Sequence, residues 1–130
     1  MNITFLGATK TVTGSNFLVE GAGKKIIVDC GLYQGKAKEE RENYTDFPYN
    51  VNEIDYMLLT HAHIDHSGRI PKLYVDGYRG PVIATKATCD LCSIMLPDSG
   101  HIQEMENVWQ NKKRARVGKP ELPPLYTAQD

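Results

Sequence analysis

Between Thr60 and Gly68 the chain reads Thr-His-Ala-His-Ile-Asp-His-Ser-Gly, packing four metal-ligand side chains, His61, His63, Asp65 and His66, into six residues. The apolar Tyr56-Met57-Leu58-Leu59 just before it reads as a buried strand, so the ligand types begin where the chain leaves a sheet, which is where α/β folds collect their chemistry. If the strand conformation persists, His61 and His63 project to one face and can hold one ion, because side chains alternate with period two. Ser67-Gly68 reads as a turn and helix start that swings Asp65 and His66 round to a second ion. Imidazole nitrogen mixed with carboxylate oxygen, without thiolate, suits zinc, with manganese or iron as substitutes. Histidines on loops are commonly just solvated, but four ligand types at this spacing carry a mechanism.

The flanking sequence predicts strands at 3–6, 16–20 and 25–30, the last two joined as a hairpin by Gly21-Ala22-Gly23. From spacing alone, Asp29 at the end of the third strand reads as a turn former or helix cap. Gly7 to Ser15 superficially suggests a phosphate cradle. The glycine spacing is wrong for one, no Lys follows the second glycine and a strand comes next, so the segment reads as a tight turn. Residues 35–44 read as a short solvated helix or flexible crossing, and 44–52 as loop. A helix follows the motif at 70–75, with Pro71 in its first turn and Gly77 closing it. A buried strand is expected at 81–85, a helix at 86–95, a turn holding Asp98 and His101, and a last helix from Ile102 to about Val117. Strands alternating with helices imply an α/β fold.

Cys89 and Cys92 invite a zinc or redox reading, yet a lone C-x-x-C with one further cysteine, Cys30, cannot close a tetrahedral thiolate site. The pair reads instead as two small side chains sharing a buried helix face. Lys112, Lys113, Arg114 and Arg116 are cations expected near a helix C-terminus and are also candidate RNA contacts, since such patches hold phosphates without reading sequence. Trp109 is expected in the core. The 130 residues suffice for one domain with a real core and are too few for two. A net charge of -1 gives no long-range basic field, so any nucleic-acid contact must be local. The N-terminus lacks a signal-peptide pattern and no run approaches a membrane span, so a cytoplasmic protein with reduced thiols is expected.

At His61, His63, Asp65 and His66 the sequence resembles the metallo-β-lactamase superfamily, whose HxHxDH motif these residues match. Three further stretches, 5–8 with 13–16, 27–31 with 34–35, and 98–104, make it similar to bacterial members of the β-CASP branch of RNA-processing nucleases. The resemblance implies the N-terminal half of an αββα sandwich: a mixed sheet with helices on one face, residues 1–130 forming a partial domain and no second domain. The sheet's other face would be uncovered, which favours a homo-oligomer. The implied chemistry is hydrolysis of RNA phosphodiesters by a hydroxide bridging two zinc ions. His61 and His63 would hold one ion, Asp65 and His66 the other, with Asp65 and His66 as catalytic residues. Asp29 would sit beneath the ions and hold the ligand loop by hydrogen bonds.

The family site also needs two histidines and a bridging aspartate from later in a longer chain. Of the four histidines only His101 is spare, at a position the family does not use as a ligand. Weak metal binding and little or no turnover are therefore expected of this chain alone. Two other readings share these residues: a lactamase-fold hydrolase of a small ester, thioester or lactam, and a non-catalytic assembly module of an RNA-processing complex.

Overall fold

A computed structural model describes residues 1–130. Its frame is a mixed sheet of five strands in sequence order, β1 (Asn2–Gly7), β2 (Asn16–Gly21), β3 (Lys24–Cys30), β4 (Tyr56–Leu58) and β5 (Val82–Ile83). β1, β2 and β3 pair antiparallel, and a two-residue turn with Ala22 and Gly23 both at positive φ suffices to join the last two. β4 and β5 continue the sheet in parallel, which requires crossovers. The first crossover holds α1 (Ala37–Glu40) and two 3₁₀ turns, Arg41–Tyr44 and Val51–Glu53. The second holds α2 (Ile64–Ser67) and α3 (Ile70–Val75), and α4 (Lys86–Arg116) follows β5.

The two sheet faces have opposite fates. Ile27 and Met57, paired across β3 and β4, are completely buried together with Leu73 and Tyr78, and Phe47, Ile70 and Cys92 complete that layer. At roughly 1.5–3 kcal/mol per buried large apolar side chain, this face holds most of the folding energy. The opposite face carries two apolar rows fixed by register. One is Ile3, Val19, Ile26 and Tyr56; the other is Phe5, Phe17, Val28, Leu58 and Ile83. No element covers them, and Phe5 remains 64% exposed. Helices thus lie on one face of a mixed sheet, as expected.

Several local expectations change. The segment 56–59 is not uniformly buried: Met57 and Leu59 point inward while Tyr56 and Leu58 face the open side. The expected buried strand at 81–85 contracts to Val82–Ile83, a partly exposed edge with no sixth strand to pair. The two helices and the turn expected after it form one 31-residue helix, so Asp98 and His101 are helical rather than in a turn. Pro97 lies inside that helix and removes one backbone donor, a cost of about 3 kcal/mol that makes a break the natural expectation. The C-terminal segment offsets it by strapping the helix beyond the proline. Tyr126 Oη bonds Ser99 Oγ at 2.7 Å, Asn107 and Asn111 donate to the Leu122 carbonyl, and the strap passes so close that a Cβ on Gly100 would lie 2.6 Å from Ala128 N.

Trp109 is exposed rather than in the core, its ring capped by Lys113 Nζ at 3.3 Å from the centroid, because α4 packs through other faces. Cys92 is buried but Cys89, one turn earlier, is exposed, so the pair does not share a buried face. No helix is long and apolar enough to cross a membrane.

The two-faced sheet makes a contrast between neighbours. Met57→Ala should lower unfolding stability by about 2–5 kcal/mol, whereas Leu58→Ala should cost about 1 kcal/mol or less, both read from denaturant midpoints.

Candidate functional site

The site begins with an irregularity in β3. Phe17 pairs with Val28 and Asn16 with Cys30, which leaves Asp29 as the unpaired residue of a bulge. Asp29 has φ +57°, a left-handed conformation that aspartate tolerates better than most side chains. Asn16 Nδ2 secures the kink by donating to the Asp29 carbonyl at 2.8 Å. The bulge aims the carboxylate, only 2% of whose residue surface is exposed, at the loop that leaves β4.

Four groups donate to that carboxylate: Ser15 Oγ at 3.1 Å, Thr60 N at 2.9 Å, Thr60 Oγ at 2.9 Å and His66 Nδ1 at 2.7 Å. A buried carboxylate is tolerated only when so satisfied. Donation from Nδ1 fixes the tautomer of neutral His66, leaving Nε2 unprotonated and turned toward Asp65 Oδ2 at 3.5 Å. The His61 ring lies 4.0 Å, centroid to centroid, from that of His66, and His61 Nε2 meets His63 Nδ1 at 3.1 Å. Thr60 Oγ meets His61 Nδ1 at 2.9 Å, so one threonine touches both the acid and a ligand-type ring.

The backbone around these side chains is stitched to the sheet. Ser15 N donates to the Asp65 carbonyl, Leu32 N to the Ile64 carbonyl and Arg69 N to the Cys30 carbonyl, all within 3.0 Å. Fully buried Ser67 ties α2 to the loop through the Ala62 and His63 carbonyls, each at 3.0 Å. Gly31 exists for close approach: a Cβ there would lie 1.6 Å from the Asp65 carbonyl oxygen. β4 ends at Leu58, so the predicted strand alternation does not carry His61 and His63. A loop brings them together, and Asp65 and His66 sit on α2 rather than in a turn.

All four motif residues therefore meet in one place, with Asp29 beneath them. In type, three imidazoles and a carboxylate fit a divalent cation such as zinc, and the fixed tautomer of His66 presents a lone pair. In placement, His61 and His63 bond each other, and no group of three ligand-type side chains converges on one point. Cys30, beside Asp29, is no thiolate: burial pushes its thiol up to about 12, with Arg69 and Lys72 pulling the other way. His101 stands apart and exposed on α4, and Lys112, Lys113, Arg114 and Arg116 occupy the last turns of that helix. The anchoring hydrogen bonds of Thr60, Ser15 and Ser67 escaped the sequence reading, although Thr60 directly precedes the motif, Ser67 follows it and Ser15 lies in one of the quoted stretches.

Residues 10–74 match the metallo-beta-lactamase superfamily. The chain is 50% identical over 99 residues to Ribonuclease TTHA0252 of Thermus thermophilus, covering 76% of this chain and 22% of that protein. It is 38% identical over 104 residues to Transcription termination factor FttA of Methanococcus maripaludis, covering 79% and 16% respectively. Among solved structures, a Cronobacter sakazakii metallo-beta-lactamase with a HARLDQ motif superposes with a TM-score of 0.51 at 25% identity, over 70% of this chain and 31% of that one. The chain spans less than a quarter of the length of these curated relatives.

The Asp29 cluster makes a direct expectation. Asp29→Asn keeps the shape and tolerates the backbone but opposes its amide to some of the four donors, so stability should fall by about 1–3 kcal/mol in denaturant titrations. Gly31→Ala should cost at least as much, because its obstacle is backbone.

Proposed function

The chain belongs to the metallo-beta-lactamase superfamily, and from that premise we propose that it carries part of the metal site of a ribonuclease of the β-CASP type, acting on RNA phosphodiesters. The observation that carries this reading is the imidazole of His66, oriented by the buried carboxylate of Asp29 so that its second nitrogen faces Asp65, with the His61 ring packed beside it. A ligand-bearing loop anchored this way is the arrangement by which supporting hydrogen bonds raise metal affinity. The name and 50% identity of the Thermus thermophilus relative favour RNA over a small ester, thioester or lactam.

In this reading His61 and His63 hold one ion and Asp65 and His66 the other. Bound zinc supplies a Lewis acid that activates water near neutral pH and offsets charge on phosphoryl oxygens. The chain's own groups do the rest. Asp29 keeps the proton on His66 Nδ1, Thr60 ties the acid to His61, and exposed His63 sits at the rim, where a substrate arrives. The His61–His63 contact must open for either nitrogen to reach a cation, and the ligand set is a partial one.

Weak zinc binding is thus expected, abolished in His61→Ala and weakened roughly 10–100-fold in Asp29→Asn, measured by calorimetry on refolded, metal-stripped chain. RNA cleavage should be slight or absent; robust chelator-sensitive cleavage by the purified chain refutes the partial-site reading, and no zinc binding at all refutes the metal site. The two open apolar rows favour self-association. Light scattering at micromolar concentration should show species larger than 14.6 kDa, and a clean monomer counts against it.

A further inference from the structure

A groove of about 820 Å³ runs between the first crossover and α4. It touches Ile64, between the ligand-type residues His63 and Asp65, and it reaches Arg114 in the basic last turns of the helix. At 1.5 Å per residue, the helical wall from Ser99 to Arg114 is roughly 22 Å long, room for several nucleotides of extended strand.

The lining has three kinds of group. Tyr44, 56% exposed as a residue, offers its ring. Asn43, Asn107 and Asn111 are committed to Tyr33 and Leu122, leaving Gln34, Gln103 and Gln110 as side-chain amides without such duties. Arg41 and Arg114 line the groove and neither joins any of the chain's ion pairs; Arg114 Nε donates to the Pro120 carbonyl at 2.7 Å, which leaves its two terminal nitrogens for a phosphate. Glu40 and Glu106 balance them, so the middle of the groove is not a phosphate track. Cations dominate only at the far end, where Lys112, Lys113 and Arg116 join Arg114.

A charge-balanced groove with an exposed aromatic, free amides and a basic mouth suits unstacked bases better than a duplex. Bases are held by stacking and by hydrogen bonds to their edges, and phosphates by local cations. We infer that this groove binds single-stranded RNA, with Tyr44 stacking on a base, Gln103 and Gln110 bonding base edges, and Arg114 meeting phosphate. The strand's other end is led past Ile64 to the histidine cluster. The inference rests on the RNA reading above and identifies where this chain would grip its substrate.

The test is fluorescence anisotropy of the full chain with a labelled single-stranded RNA of about 8 nucleotides, a length within single-strand site sizes, in EDTA so that binding is separated from cleavage. Tyr44→Ala should weaken binding about fivefold or more, since a stacked base contributes roughly 1–3 kcal/mol, and Tyr44→Trp should retain it. Arg114→Gln should flatten the slope of log affinity against log salt by about 0.7, the share of one phosphate contact. Ile94→Ala, exposed on the same helix and outside the groove, should change neither. Circular dichroism establishes that each variant is folded. Absence of RNA binding, or binding indifferent to Tyr44→Ala and to Gln110→Ala in folded protein, overturns the inference. RNA binding that depends on Tyr44 in a chain that binds no zinc would leave the groove standing and defeat the metal-site reading. Zinc binding with RNA affinity indifferent to Tyr44 would do the reverse.

Discussion

The Asp29 carboxylate joins what would otherwise be two independent pieces of structure. It belongs to a strand of the sheet, while three of its hydrogen bonds come from Thr60 and His66 in the segment that leaves the next strand. A charge placed at 2% exposure is stable only with its oxygens satisfied, so the loop must come to it, and the loop brings the motif. The bulge that points Asp29 inward interrupts the pairing of β2 with β3. The sheet therefore gives up local regularity at the point where the candidate chemistry is supported, a common use of bulges.

The rest of the ligand loop follows from close backbone contact. Gly31 lets the chain leaving β3 lie against the Asp65 carbonyl, and three amide-to-carbonyl bonds from Ser15, Leu32 and Arg69 lock α2 in place. Below this layer the core of Ile27, Met57 and Leu73 supplies the burial that holds the sheet against its helices. The histidines themselves stand at its edge, partly exposed, where a ligand can reach them.

Legibility in the sequence varied by kind of signal. Strong local patterns translated well: β1 to β3 appear within a residue or two of expectation, and the hairpin turn is where its glycines put it. Expectations that depended on what packs against a segment did less well. Pro97 is a genuine helix breaker, yet α4 runs through it because Tyr126, Leu122 and Ala128 strap the far half. Trp109 looked like core by residue type and lies on an uncovered side. Val82–Ile83 shortened because a strand at a sheet edge has one neighbour rather than two.

The sequence by itself determined the donor chemistry of the site, the alternation of strands and helices, and the family, because residue type and spacing are local properties. It left the role of Asp29 open between turn former and support, and it gave Thr60, Ser15 and Ser67 no part in holding the ligand loop. Only the tertiary structure decided those, along with the contact between His61 and His63 and the groove beside α4. The physical reason is that a hydrogen bond between residues 29 and 66, or a groove between residues 44 and 110, exists only once distant segments are packed together. No periodicity in the chain encodes that packing.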